Sequence, residues 1–584
     1  MGGRKCNIPL LTEQKTRRVN GGKTVKKLIA LLLAMILSVS MFSGCSSKEE
    51  TGEQQQTAEQ TTSTEGNMVS ADCKGNVLTW NLGVDSQTLD PAKAVSDDSM
   101  SVINNTFEGL MRESANGVEP AMAQDMPQET ENEDGTVTLT YTLRDASWSD
   151  GQPVTANDFE FAWKRCADPA NNAENAYLMG YLANYDDIAQ GLAEVDTLGV
   201  KAVDDKTLEV TLKQPTEYFN ELLTLPAFMP LREDMVSSDD SWSKDPQRAV
   251  SNGPFTLVGY TAGTEFVLQK NDQYWNKENV SLDYIVARML DENFAPVGMA
   301  FGDIMLTEGE VSQPENQTDT EGNTVEVPQL ANTVTAATIP SSTVVSLVVN
   351  TNTANSLLKN ADVRNALSLA LDRTAAAEAA GGQALLSVSP LGGENLSATA
   401  DTEKALSMIN GAGSEEATDT EEQTADDKSI EIVYLENDEL AAALETVKSS
   451  WEALGFSVTL TAQDAETFKL SRNSLQYADI LCSVWEADAQ DQQLYLEPYL
   501  SYNVQSGCGY TNPDFDQLML DAMQASGEER TAKLSEAETT LLEDGYVMPL
   551  YQQTITTTSD TAKVSGWSIL PNGMYWFGEA SVNK

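Results

Sequence analysis

The sequence predicts an α/β protein built of several lobes. Its 584 residues exceed what one hydrophobic core organises, at roughly 100 to 200 residues per domain. Apolar and polar side chains alternate over Thr136–Leu143, as in a half-buried strand, and again at Leu208, Val210 and Leu212. Residues 362–373 instead carry apolar side chains at helical spacing. Strands and helices therefore share one chain whose hydrophobic content of 41% suffices for globular folding.

Composition excludes several classes of function. Lys and Arg number 36 against 89 Asp and Glu, so the formal net charge is −53 and nucleic acid is not an expected partner. The chain has no histidine, which removes Ser/His and Cys/His nucleophile pairs and His-ligated zinc, nickel and haem sites. Much hydrolase chemistry is removed with histidine, and we expect no metal and no cofactor.

The amino-terminal region predicts export. Basic residues precede an apolar run over residues 28–42, about 15 residues, whereas a membrane-spanning helix needs roughly 20. The run ends in Met41-Phe42-Ser43-Gly44-Cys45, which resembles the lipobox of bacterial lipoproteins. The resemblance implies that residues 1–44 are a signal peptide and that Cys45 is lipidated. An uncleaved anchor is the alternative, and either one places the body outside the cytoplasm, held at the cell membrane.

Residues 45–74 are predicted to be a lipid-anchored flexible linker, because 46–70 consist mostly of Ser, Thr, Gln and Glu with almost nothing to bury. Beyond Cys6 and Cys45, four cysteines remain; four thiols allow three complete pairings, among which the sequence does not choose, and free thiols are the alternative. These cysteines are Cys73, Cys166, Cys482 and Cys508.

Two helices and two insertions complete the elements. Residues 362–373 predict one amphipathic helix, and Asn512 before Pro513 predicts the start of another. Residues 307–324 and 413–428 are acidic and nearly free of large apolar side chains. We interpret both stretches as surface insertions.

A long motif follows the first predicted strand. Residues 141–159 read Tyr-Thr-Leu-Arg-Asp-Ala-Ser-Trp-Ser-Asp-Gly-Gln-Pro-Val-Thr-Ala-Asn-Asp-Phe, and Trp163-Lys164-Arg165 comes soon after. The motif resembles the signature of the extracellular oligopeptide-binding proteins that serve ABC importers. The turn at Asp150-Gly151 and the helix opening near Thr155 indicate that these residues build the scaffold and do not touch ligand. Further similar segments, such as 252–255 and 360–367, extend the resemblance over nearly the whole chain after the linker.

The resemblance implies a two-lobed clamshell of the periplasmic-binding-protein-like type II fold, α/β in class, with an additional domain. Two crossing connections act as a hinge, and ligand is enclosed between the lobes. The predicted domains follow in chain order: 75–108 and 223–345 in lobe I, 109–222 the additional domain of lobe I, 346–545 lobe II, and 546–584 the carboxyl-terminal return to lobe I.

The resemblance also implies a ligand site. Relatives accept a peptide's α-ammonium on an Asp in a Trp-x-Ala-Asp segment, which this chain matches as Trp485-Glu486-Ala487-Asp488. Asp488 is therefore the predicted ammonium acceptor, with a surface acid as the alternative. Trp485 either walls the same pocket or belongs to the core. Tyr177 and Tyr181 stand where relatives have ligand-facing tyrosines, although packing is the favoured interpretation for both.

A basic residue that some relatives use for ligand carboxylates is missing, since its place falls near Cys482. Recognition of a ligand's carboxyl end must then differ or be absent. The predicted function is that of a monomeric lipoprotein that captures oligopeptides for an ABC importer, whose permease and ATPase are separate chains. An oligosaccharide-binding member of the same family is the alternative, and a carboxylate-dependent glycosidase is the remaining one.

Overall fold

The structure is a computed structural model that describes residues 69–114, 117–236, 240–291, 293–318, 324–393, 395–415 and 428–583. The predicted signal peptide, Cys45 and nearly all of the predicted linker lie outside these residues. Within these ranges no helix combines the length and the apolar character needed to cross a membrane.

The chain alternates strands and helices irregularly. In chain order the strands are β1 Val77–Asn81, β2 Met111–Ser114, β3 Gly117–Pro120, β4 Gln128–Glu131, β5 Val137–Thr142, β6 Val200–Asp204, β7 Thr207–Leu212, β8 Phe255–Thr261, β9 Glu265–Lys270, β10 Tyr284–Arg288, β11 Leu306–Glu308, β12 Gln317–Thr318, β13 Thr324–Val325, β14 Val334–Val349, β15 Gln383–Ala384, β16 Ser429–Leu435, β17 Ser457–Gln463, β18 Ile480–Glu486, β19 Val547–Asp560, β20 Val564–Ser565, β21 Ser568–Ile569, β22 Tyr575–Trp576 and β23 Ser581–Val582. The α-helices are α1 Asp97–Thr106, α2 Ala156–Ala167, α3 Tyr185–Ala189, α4 Phe219–Leu222, α5 Ala295–Phe301, α6 Ala361–Leu369, α7 Arg373–Ala380, α8 Thr402–Glu415, α9 Asp438–Glu452, α10 Ala465–Ser474, α11 Gln492–Leu496, α12 Pro513–Gln524 and α13 Gly527–Glu543.

Two long strands join the two halves of the main sheet. The strand order is β17-β16-β18-β14-β19-β11-β1-β10-β9-β8, so β14 and β19 lie in the middle and pair antiparallel. Strands β1 and β8–β11 fall in the range predicted for lobe I, and β16–β18 fall in that of lobe II. The register of β14 on β19 shifts between Pro340 and Val344. This irregularity lies where the chain passes from one half of the sheet to the other, which is where the predicted hinge falls, and a register shift of this kind bends the strand. The domain boundaries themselves stay a prediction.

The additional domain is built on a four-stranded antiparallel sheet of order β4-β5-β7-β6. Strands β5 and β7 show the predicted alternation of buried and less buried residues. Helix α2 begins after Thr155, whose backbone N–H donates to Asp158 Oδ2 at 2.8 Å. Trp148 and Trp163 are fully buried in the core beneath the sheet. The motif therefore forms scaffold, as predicted.

Three predictions about local elements have outcomes in the structure. The start of α12 is confirmed, since Asn512 Oδ1 accepts from the backbone of Asp514 at 2.9 Å. The single helix over 362–373 is wrong: α6 ends at Leu369, and Asp372 caps a second helix by accepting from Ala375 N at 3.0 Å. The first insertion was predicted to start too early, because Thr307 is buried in β11, between β1 and β19. Residues 416–427 of the second insertion lie outside the described ranges.

The four cysteines in the described ranges are free thiols. Cys166, Cys482 and Cys508 are buried and Cys73 is partly exposed. Burial raises the pKa of the Cys482 thiol to about 12, so this thiol stays neutral and behaves as a small apolar side chain.

Candidate ligand-binding cleft

The Trp-x-Ala-Asp segment lies at the end of strand β18, where lobe II contacts the additional domain. The strand lies between β16 and β14, which fixes its path. Just beyond its end, Ala487 and Ala489 are buried in the same apolar cluster as Trp163 of the additional domain. Asp488 stands between these two alanines and is only partly buried.

Asp488 touches the additional domain through a hydrogen bond. The Tyr177 hydroxyl donates to Asp488 Oδ1 at 2.8 Å. Tyr177 lies on the 3₁₀ helix Glu174–Tyr181, within the range predicted for the additional domain. Burial raises the pKa of Asp488 to about 6, and the hydrogen bond from Tyr177 opposes that rise. The carboxylate is therefore held in a poorly hydrated place without a Lys or Arg partner among the described residues.

Side chains of α13 hold the loop that follows Asp488. Asp491 forms a two-point ion pair with Arg530, at 2.8 Å to Nη1 and 2.7 Å to Nη2. Gln492 Nε2 donates at 3.0 Å to Glu538, which is fully buried. The two parallel hydrogen bonds between Arg530 and Asp491 fix the orientation of the Asp491 carboxylate as well as its position. The loop beside the predicted ammonium acceptor is thus anchored to α13.

Further hydrogen bonds join the same loop to the additional domain. Gln490 N donates to Glu221 Oε2 at 2.9 Å, and Gly527 N at the start of α13 donates to Glu217 Oε1 at 3.0 Å. Gln493 Nε2 lies 3.4 Å from the Tyr218 hydroxyl. Lobe II and the additional domain are therefore in contact along this side of the crevice.

One edge of β18 has no strand beside it near the site. Residues 482–486 pair with β14 only, because β16 pairs no further along β18 than Leu481 in the described part. The free backbone groups of an unpaired edge can bind an extended chain by adding a strand. A chain lying there would bring one of its ends to Asp488.

The predicted site residues take different places. Asp488 and Tyr177 are brought together by the hydrogen bond between them. Trp485 packs partly buried against the core, and its Nε1 donates to Leu494 O at 3.0 Å. Tyr181 meets the ring of Tyr218 edge-on, with centroids 5.8 Å apart. The binding roles of all four remain predictions.

Sequence reasoning missed four acids around the crevice. Glu486 ends β18, Asp97 and Asp98 begin α1, and Glu308 ends β11. Burial, with Asp97 and Asp488 as the next causes, raises the pKa of Glu486 to about 8. The pKa of Asp97 and that of Asp98 also rise, to about 7, chiefly because the surrounding protein disfavours the charged form, although Asp97 itself is exposed to solvent. Their sequence signal was no stronger than that of any other acid, apart from the place of Glu486 inside the matched segment.

A separate open depression of about 640 Å³ lies between residues 150–158 and residues 232–234, lined by Asp150, Asp158 and Arg232 among others. Its Arg232 already forms ion pairs with Asp150 and Asp234. The charge that a ligand would need is thus satisfied within the protein. Over the described ranges, no group of three or more Cys, Asp or Glu could hold a metal ion.

A main sheet whose two halves are joined by β14 and β19 is typical of a clamshell binding protein, and comparison with known proteins gives the family. The family described as bacterial extracellular solute-binding proteins, family 5 Middle, matches residues 117–507. The chain belongs to this family. The predicted resemblance is therefore confirmed.

Two relatives show the extent of the similarity. The periplasmic oligopeptide-binding protein OppA of Salmonella typhimurium is 29% identical over 494 residues, which cover 81% of this chain and 86% of that protein. The oligopeptide-binding protein OppA of Bacillus subtilis is 39% identical over 226 residues, which cover 38% of this chain and 41% of that one.

Solved structures agree in fold. The unliganded open form of the periplasmic murein tripeptide-binding protein MppA matches with a TM-score of 0.70 at 24% identity, over 87% of this chain and 98% of that one. OppA of Listeria monocytogenes bound to peptide matches with a TM-score of 0.61 at 25% identity, over 87% and 99%. The predicted two-lobed type II fold is confirmed.

Proposed function

We propose that this chain is the extracytoplasmic substrate-binding lipoprotein of an ABC importer, which captures oligopeptides by closure of its lobes and delivers them to a membrane permease. The observation that carries the proposal is the Asp488 carboxylate, which lies between lobe II and the additional domain and is hydrogen-bonded to Tyr177 from across the crevice. Cys45 carries the lipid anchor, and the permease and the ATPase are separate chains. Relatives named as oligopeptide-binding proteins support the class of ligand.

In this mechanism the peptide lies extended along the free edge of β18. Backbone groups of residues 482–486 pair with its main chain, which accommodates any sequence. The peptide's α-ammonium then meets Asp488, and Tyr177 keeps the carboxylate oriented toward it. Closure removes water from this pair, which strengthens the attraction between the opposite charges. Ligands with a free amino end are therefore held most tightly.

The ligand class can be tested directly. Residues 69–584 would be purified without denaturation, unfolded, and the released small molecules analysed by mass spectrometry. We expect a mixture of short peptides with free amino ends. Release of oligosaccharides and no peptides would contradict the proposal and favour the sugar-binding alternative. As a control for ligands acquired during expression, the protein would be unfolded, freed of ligand, refolded and then incubated with a tripeptide library.

Peptide affinity should depend on pH through Asp488. The pKa of this carboxyl is raised to about 6, so the acid becomes neutral below that pH and no longer attracts an ammonium. We expect the affinity for a free-amino peptide to fall by about tenfold for each pH unit below the pKa. Calorimetric titrations between about pH 5 and pH 7 would measure this fall in affinity. The peptide's α-amino group, with a pKa of about 8, stays charged over that range.

Other titrating groups lie nearby, namely Glu486, Asp97, Asp98, Tyr177 and Tyr181. Asp488 has the lowest pKa of this set, about 6, against about 7 for Asp97 and Asp98 and about 8 for Glu486. Asp488→Asn is therefore the control variant, and it should lose the dependence that the native protein shows. A native affinity that stays constant over this pH interval would contradict the assignment of Asp488.

A further inference from the structure

A second carboxylate stands beside the proposed ammonium site. Glu486 is the last residue of β18, two positions before Asp488, and its side chain is partly buried. Among the described residues it forms no ion pair with Lys or Arg. Its hydrogen-bond contact is with Ser342 Oγ, 3.3 Å from Glu486 Oε1. Ser342 belongs to the irregular segment of β14 that joins the two halves of the sheet.

Asp97 of lobe I approaches the same place from the other side of the hinge. Ser342 N donates to Pro571 O at 2.8 Å, which ties the carboxyl-terminal turn to the hinge. A Cβ added at Gly573, two residues further along that turn, would lie 2.9 Å from Asp97 Cγ. The Asp97 carboxyl group therefore packs directly on this turn. Glu486 and Asp97 thus flank one short stretch of backbone, one on each lobe.

We propose that Glu486 and Asp97 form a second cation subsite, which takes the Lys or Arg side chain at the first or second residue of a peptide. This inference rests on the proposed function, because it needs the peptide's amino end at Asp488. A peptide along β18 would carry its first side chains past Glu486, the strand residue nearest to Asp488. The preferred ligands are then peptides with two positive charges close together.

The electrostatics of the crevice support a cationic ligand. Burial raises the pKa of Glu486, and Asp97 and Asp488 raise it further because they are like charges. A bound ammonium or guanidinium group would relieve this repulsion, whereas an acidic side chain would increase it. Within the described ranges the acids do not form a group that could hold a metal ion.

A buried hydroxyl gives a separate indication of an occupant. Tyr575 is 3% exposed, and its hydroxyl has no hydrogen-bond partner in the described part of the chain. The charged groups that act on this hydroxyl are Glu308, Asp98 and Asp97, so it faces the acidic side of the crevice. An unpaired buried hydroxyl costs about 1 to 3 kcal/mol. A phenol oxygen also accepts hydrogen bonds, which an ammonium group of the ligand would supply.

The test compares matched peptides on matched variants. Tetrapeptides with Lys at position 1 or 2 and alanine elsewhere would be titrated against peptides with norleucine at the same positions, which keep the alkyl chain without the charge. We expect the native protein to bind the tighter of the two Lys peptides at least tenfold more tightly than the norleucine peptide matched to it. Glu486→Gln and Asp97→Asn should each remove most of that preference. Glu131→Gln, on the exposed outer strand β4, should leave it unchanged.

The outcomes separate this inference from the proposed function. Equal native affinities for Lys and norleucine peptides, with tight binding of both, would overturn the subsite and leave peptide capture standing. A Lys preference that persists in both Glu486→Gln and Asp97→Asn would also overturn it. If no free-amino peptide binds the native protein, both proposals fail together. Thermal unfolding of each variant would verify folding, and Asp97 is exposed, so its variant tests the subsite even if Glu486→Gln is unstable.

Discussion

Replacement of Asp488 by asparagine is expected to weaken the binding of a free-amino peptide by a factor of at least 10² to 10³. Asparagine has nearly the same shape and can still accept the Tyr177 hydrogen bond. It leaves the ligand's ammonium group without a counter-charge in a site that closure shields from water. Breaking a buried ion pair in this way costs about 3 to 5 kcal/mol, and about 1.4 kcal/mol corresponds to a factor of ten in affinity. Calorimetric titration of native and variant protein with one tripeptide would measure the loss.

The N-acetylated form of the same tripeptide is the matched control. It should bind the native protein weakly, and Asp488→Asn should change that weak affinity little, because the acetylated end carries no charge. Tyr177→Phe should give an intermediate loss of about tenfold, since it removes one hydrogen bond to a charged group and leaves the carboxylate. An acetylated peptide that binds as tightly as its free-amine counterpart would refute the role of Asp488.

The sequence predicted those parts of the fold that depend on neighbouring residues. Alternation over Thr136–Leu143 identified β5 because one face of that strand is buried and the other is not. Asn512 and Pro513 identified the start of α12 because an N-cap acts within its own turn. The prediction of one helix over 362–373 was wrong because it relied on apolar spacing alone and overlooked a local capping signal. Ala370 and Leu371 are still buried, so apolar spacing continues across a break that Asp372 imposes by capping the next helix.

Only those residues of the candidate site that belong to a recognised motif could be predicted from the sequence. Asp488 was found through its place in the Trp-x-Ala-Asp segment, which no physical pattern singles out. Its contact with Tyr177 joins residues 311 positions apart, and that proximity is set by the topology of two lobes and an additional domain. Glu486 and Asp97 gave no separate signal in a chain with 89 acids, because only the fold decides which acids face the crevice.

Trp163→Ala is expected to lower the free energy of unfolding by about 3 to 5 kcal/mol, the range for large-to-small changes of buried aromatic residues. Trp163 is fully buried in the core of the additional domain, and its ring meets Phe228 edge-on with centroids 5.2 Å apart. Its Nε1 also donates to Phe228 O at 2.9 Å, so truncation leaves a cavity and an unpaired carbonyl. Denaturant titration followed by tryptophan fluorescence and circular dichroism would measure the loss.

Trp163→Phe and Leu192→Ala separate the causes of that loss. Trp163→Phe keeps an aromatic ring but no N–H donor, so we expect a smaller destabilisation than for alanine. Leu192 is 73% exposed, and its truncation should change stability by less than about 0.5 kcal/mol. Because Trp163 belongs to the scaffold that presents Tyr177 and does not touch the crevice, folded Trp163→Phe should keep the native peptide affinity. A large loss of affinity at unchanged stability would instead place this motif in the ligand site.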